Sequence, residues 1–116
     1  MLEPSHMSDF WDERAREDAL FFVDDRLRYD RDRGTGDEAW FWAEGERLLD
    51  ELLQRSDAPA IAPDAVALDL GCGVGRFTRV LADRTAHVHA VDVSSEMLER
   101  AQQMLASHGN VEFHHG

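Results

Sequence analysis

The chain has 116 residues, 43% of them hydrophobic and 31% charged, which suits one small globular domain and excludes a largely disordered segment. Its 24 acidic residues stand against 12 basic ones, all of them arginine, for a formal net charge of -12; a field of that sign repels phosphate backbones and argues against nucleic-acid binding by the chain alone. No apolar run approaches the roughly 20 residues of a membrane span and no basic-then-apolar leader opens the chain. A lone cysteine, Cys72, has no second cysteine for a disulfide or a thiolate metal site, so a cytoplasmic location is expected.

Residues 1–7, "MLEPSHM", end in a His-Met pair that suggests a cloning junction and are taken as vector-derived. A helical N-terminal extension is expected over 8–58. Ser8 is a candidate N-cap for a short helix to about Glu17, Leu20 to Val23 form a dense apolar patch without clear period, and Asp30 to Gly36 form a charged loop. Asp37 then caps a helix to about Arg55, whose Phe41, Leu48 and Leu52, beside Trp42, Leu49 and Leu53, make one apolar stripe. Two prolines in "SDAPAIAP" end it.

From Asp64 the pattern alternates: "VALDL" as a buried strand, Gly75 to about Asp83 as a helix, "HVHAVDV" as a strand, Ser94 to about Ser107 as a helix, and "NVEFH" opening a third strand. Strands separated by helices of this length run parallel through right-handed crossovers. The fold class expected for 64–116 is therefore α/β, a partial Rossmann-like sheet of order 3-2-1 behind the helical extension.

Between the first strand and its helix stands "GCGVG". There the chain turns sharply into a helix whose first N–H groups have no intrahelical partner, and Gly71, Gly73 and Gly75 allow positive φ while leaving room for a ligand against the backbone. A dinucleotide fingerprint, G-x-G-x-x-G, would need glycine where Arg76 stands, so a nicotinamide oxidoreductase is disfavoured. Asp92 ends the second strand 21 residues after Gly71, next to the glycine turn, where its carboxylate can accept hydrogen bonds from two ribose hydroxyls. Turn and acid together describe a nucleoside site.

At these residues the chain resembles the class I S-adenosylmethionine-dependent methyltransferases: "LDLGCGVGRFT" is similar to their first motif, "VDVSSEML" to their second and "NVEFHHG" to the strand that follows. "FWDERARED" and "FWAEGERLLDELL" resemble the helical extension that precedes the core in many small-molecule members. The resemblance implies S-adenosylmethionine as cofactor, held by Asp69 and the backbone of Gly71, Cys72 and Gly73 at its methionine part, by Asp92 at the ribose, and bordered at the adenine by Val93 and Met97. Together with the acidity of the chain, the resemblance points to a small-molecule methyl acceptor, and on charge and hydropathy neither nucleic acid nor a membrane is expected as partner.

The family core has seven strands in order 3-2-1-4-5-7-6, and this sequence reaches the third. The expectation is a truncated, inactive first half of an enzyme, whose exposed first strand invites a homodimer or domain swap. The alternative is a non-catalytic nucleoside-binding or interaction module that completes its sheet by oligomerisation.

The other conspicuous side chains have plainer readings. Cys72 fills the loop, since no base stands beside it in the sequence. His87 and His89 share a strand face as a metal pair would, yet no third ligand is evident, and His114 and His115 point to opposite faces, so no metal site is expected. Trp11, Trp40, Phe41 and Trp42 are read as core rather than as a lid.

Overall fold

The computed structural model describes residues 4–23 and 36–116, with the side chains of 6–16 and 38–116. Two helices, α1 (Pro4–Val23) and α2 (Gly36–Arg55), precede the alternating unit β1 (Val66–Leu70), α3 (Arg76–Arg84), β2 (His87–Asp92), α4 (Ser95–Met104) and β3 (Val111–His115). The charged loop expected over 30–36 lies, except for Gly36, outside the described residues.

Helix α1 is longer at both ends than its sequence suggests. Pro4 brings a preset φ to the first position, and no proline or glycine interrupts the stretch to Val23, so Ser8 lies inside the helix and Leu20 to Val23 continue it. Residues 4–7 form its first turn. Freed from capping, the Ser8 hydroxyl donates to the Val93 carbonyl at 2.7 Å and ties α1 to the end of β2. Helix α1 packs on α4, and α2 packs on α3.

On α2 the buried positions are Phe41, Gly45 and Leu49, spaced by four, whereas Leu52 of the expected stripe is 56% exposed. Arg76 explains the choice of face. It is buried at the start of α3, its Nε donates to the Phe41 carbonyl at 3.0 Å, and its guanidinium lies 4.4 Å from the centroid of the Phe41 ring. A Cβ on Gly45 would come within 2.7 Å of Arg76 Cγ, so glycine allows this close approach. At the other end of α3, Arg84 clamps Asp50 through both carboxylate oxygens, at 2.6 and 3.3 Å.

The three strands are parallel with β2 in the centre, the expected 3-2-1 order, and Leu68 pairs with His89 and His89 with Glu112. The face under α3 and α4 buries Val88 and Ala90 completely, with Cys72 and Leu98 against Val111 and Phe113. A second cluster, Ala15, Phe41, Val74 and Met97, joins the N-terminal helices to the turn after β1 and to α4, with Trp11, Trp40 and Trp42 packed against it. The aromatics therefore act largely as core. On the other face of β1, Val66, Leu68 and Leu70 are exposed.

Candidate functional site

Gly71, Gly73 and Gly75 have φ of 72°, 56° and 91°, all in the left-handed region that glycine enters without steric cost. Alternating such residues folds the chain back over the strand ends. The turn hangs from β2: the Gly71 and Cys72 amides both donate to the Val91 carbonyl, at 2.8 and 3.0 Å. The Gly73 amide donates to Asp92 Oδ2 at 2.8 Å, and the Ser94 amide donates to Asp92 Oδ1 at 2.9 Å. Asp92 thus joins the glycine turn to the start of α4.

Ser94 caps α4 by accepting from the Met97 amide at 3.1 Å. Its hydroxyl donates to Asp12 Oδ1 from α1, which also accepts from the Glu96 amide at 3.2 Å. A carboxylate at this helix N-terminus is favoured by the helix dipole. Arg16 reinforces the contact through Glu96 at 3.2 Å, and Arg100 donates to the Ala15 carbonyl at 3.0 Å, so these charges join helices rather than decorate one exposed face each.

Between turn and helix lies a cavity of about 550 Å³, lined by Leu70, Gly71, Cys72 and Gly73 on one side, Val91, Asp92, Val93 and Met97 on the other, with Met7 and Trp11 from α1 and Gly116 at the margin. That volume falls within the range of small-molecule sites. A Cβ built on Gly71 would meet nothing within 4 Å, so the backbone there borders open space. A hollow of about 450 Å³ between α2 and α3, lined by Arg79, Arg84, Glu46 and Asp83 among others, includes none of these loop residues.

Of the eight residues expected in a cofactor site, Gly71, Cys72, Gly73, Asp92, Val93 and Met97 line this cavity, while Asp69 and Gly75 stand behind it. Gly75 is where the turn meets the end of α4: a Cβ there would lie 3.1 Å from Leu105 Cδ1. Asp69 accepts the Thr78 hydroxyl at 2.7 Å, fixing β1 to α3. Burial pushes the Asp69 carboxyl above the usual range; the Thr78 bond opposes this and the Asp92 charge adds to it. Burial and the same two carboxylates push the Cys72 thiol up to about 12, so the thiol is protonated at neutral pH and is no nucleophile. Trp11, expected as core rather than lid, also lines this cavity, and Met7 joins it, because the packing of α1 on α4 brings both here.

A parallel sheet with a glycine turn after its first strand and an acid at the end of its second defines a Rossmann-like arrangement. Residues 67–116 match the family described as methyltransferase domain. Among curated relatives, the 23S rRNA (uracil(1939)-C(5))-methyltransferase RlmD of Methylococcus capsulatus is 40% identical over 70 residues, 59% of this chain and 15% of that protein. The malonyl-[acyl-carrier protein] O-methyltransferase of Halalkalibacterium halodurans is 44% identical over 72 residues, 60% of this chain and 25% of that protein. Among solved structures, the DhpI-SAM-HEP complex is 27% identical with a TM-score of 0.57, over 93% of this chain and 40% of that one. Residues 67–116 thus form a methyltransferase domain of the class I, S-adenosylmethionine-dependent fold, whose cofactor is S-adenosylmethionine.

These matches correct one expectation. A small-molecule acceptor with nucleic acid excluded does not hold, because relatives sharing this stretch include 23S rRNA methyltransferases. The net charge misled because it sums over a chain that spans 15% to 25% of the curated relatives just named; it describes the field of this stretch and not the surface on which an acceptor docks. No helix among the described residues is long and apolar enough to cross a membrane.

Proposed function

We propose that the chain binds S-adenosylmethionine in the cavity above Gly71 and Gly73 and supplies the cofactor part of a methyl-transfer site. The observation that carries this is the Asp92 bridge: each carboxylate oxygen accepts one backbone N–H, which leaves acceptor capacity on both for a pair of ribose hydroxyls. The open space at the Gly71 backbone supports the same reading, as does the apolar wall of Val93 and Met97, which suits an adenine ring.

When bound, S-adenosylmethionine supplies an electrophilic methyl group on a sulfonium sulfur. This chain's part is to bind and orient. The backbone of Gly71, Cys72 and Gly73 borders the methionine portion, and Asp69 behind the turn adds a second carboxylate whose buried charge is relieved by a cationic ligand. Trp11 and Met7 exclude water from one side.

Relatives that match part of this chain are named for a ribosomal uracil and for an acyl-carrier protein, so no acceptor is named here. The titratable side chains lining the cavity among the described residues are Asp92, engaged by two amides, and Cys72, a protonated thiol. Neither is placed as a base for an acceptor, and we infer binding without turnover by the isolated chain. Calorimetry with S-adenosylmethionine, its demethylated product and NAD tests the reading: the two adenosyl compounds should bind and NAD should not. Absence of heat from both adenosyl compounds overturns it.

A further inference from the structure

We propose that His87, His89 and Glu112 form a binding site for a first-row divalent transition metal of the zinc and nickel class, with His114 as an additional donor. The site shares no residue with the cavity and does not depend on the function proposed above.

Strand geometry assembles it. His87 and His89 stand two apart on β2 and so point to the same face, opposite to the buried Val88 and Ala90. The parallel register sets Glu112 of β3 beside His89, and His114, two residues on, beside Val91. The sequence alone pairs the two β2 histidines but cannot supply this register, which brings in the third and fourth donors.

Three imidazoles converge on one oxygen. Glu112 Oε2 lies 3.5 Å from His87 Nε2, 3.3 Å from His89 Nδ1 and 3.9 Å from His114 Nε2. His89 Nδ1 and His114 Nε2 are 3.0 Å apart. One ligand atom each from His87, His89 and Glu112 fit within 4.8 Å of one another. Metal–ligand bonds of about 2.0–2.1 Å at tetrahedral angles separate neighbouring donor atoms by roughly 3.3–3.4 Å, so the donors already stand close to coordination distance.

The chemistry selects the ion. Imidazole nitrogens with one carboxylate suit zinc, nickel and copper, whereas magnesium and calcium require mostly oxygen donors. Neutral imidazoles and a single carboxylate leave the charge of a divalent ion under-compensated locally, and the net charge of -12 over the chain favours a cation's approach. The histidines are only partly buried and Glu112 is exposed, so an ion reaches them without opening the core.

The test uses the full chain without an added histidine tag. Zn²⁺ is titrated by calorimetry and Co²⁺ by its visible d–d absorption, on the parent and on H87Q, H89Q, E112Q and, as a control, H108Q, with circular dichroism reporting the fold. One ion per chain should bind, and affinity should fall more than roughly tenfold in H87Q, H89Q and E112Q but stay unchanged in H108Q. Mg²⁺ should give no heat. Because Glu112 is exposed, E112Q gives a folded variant even if a histidine substitution perturbs the sheet. The proposal is overturned by absence of saturable binding up to millimolar Zn²⁺, by equal binding of Mg²⁺, or by folded variants that bind as tightly as the parent.

Discussion

The amide of Gly73 donates to the carboxylate of Asp92 at 2.8 Å, across 19 residues of chain. With the Gly71 and Cys72 amides on the Val91 carbonyl, this bond ties the glycine turn after β1 to the end of β2. The other oxygen holds the Ser94 amide, so a residue suited to a ligand also organises the apo turn. Asp92→Ala should therefore lose more than ligand affinity. A stability loss of about 1–3 kcal/mol is expected from stranding two amides, seen as a lower urea midpoint. Asp92→Asn puts an N–H₂ where an acceptor is needed on one side, and should fall between the two proteins.

Asp69 makes a pH-dependent prediction. Its carboxyl titrates higher in the folded protein than in the unfolded chain, chiefly through burial. Its contribution to stability is then fully present below the ordinary carboxylate range and is lost as pH rises through the folded value. Asp69→Asn keeps an acceptor for the Thr78 hydroxyl. At neutral pH the variant should unfold at the same or higher urea than the parent, with the gap closing below the carboxylate range. The same variant should bind S-adenosylmethionine more weakly, since it removes a carboxylate behind the turn proposed to hold the cationic ligand.

The two outer glycines of the turn should respond differently to alanine. At Gly71 a methyl group meets open space, so Gly71→Ala should cost about 1–2 kcal/mol from positive φ alone while its Cβ intrudes where the ligand is proposed to lie. At Gly75 the same φ cost is joined by a 3.1 Å approach to Leu105. Gly75→Ala should lower the thermal midpoint further than Gly71→Ala.

Cys72 should be slow to alkylate. A thiol pushed up to about 12 carries almost no thiolate at pH 8, and its side chain is buried. Iodoacetamide should label the native protein far more slowly than the urea-unfolded one, as followed by mass spectrometry. Equal rates would contradict the placement of Cys72 under the turn.

Much of this was legible in the sequence because the signals were local. The largely apolar run of Val66 to Leu70, the glycines on alternate positions and the acid at Asp92 each report on their own neighbourhood, and the crossover rule orders the strands. What escaped was set by tertiary packing. Ser8 reads as a cap but bonds Val93, and Leu52 reads as core but is exposed because Arg76 draws Phe41 and Gly45 inward. Trp11 reaches the cavity only through the docking of α1 on α4, and Glu112 joins the histidines only through strand register. The exclusion of nucleic acid rested on net charge, which carries no position.

The account's central claim is that the backbone of the glycine turn and the Asp92 carboxylate together receive the adenosyl cofactor. Amide chemical shifts measured by NMR while S-adenosylmethionine is titrated into the labelled chain test it most directly. Saturable shifts at Gly71, Gly73 and Asp92, with those of β3 residue Glu112 unmoved, are the expected result. Unmoved signals at all three residues under saturating cofactor would contradict the account.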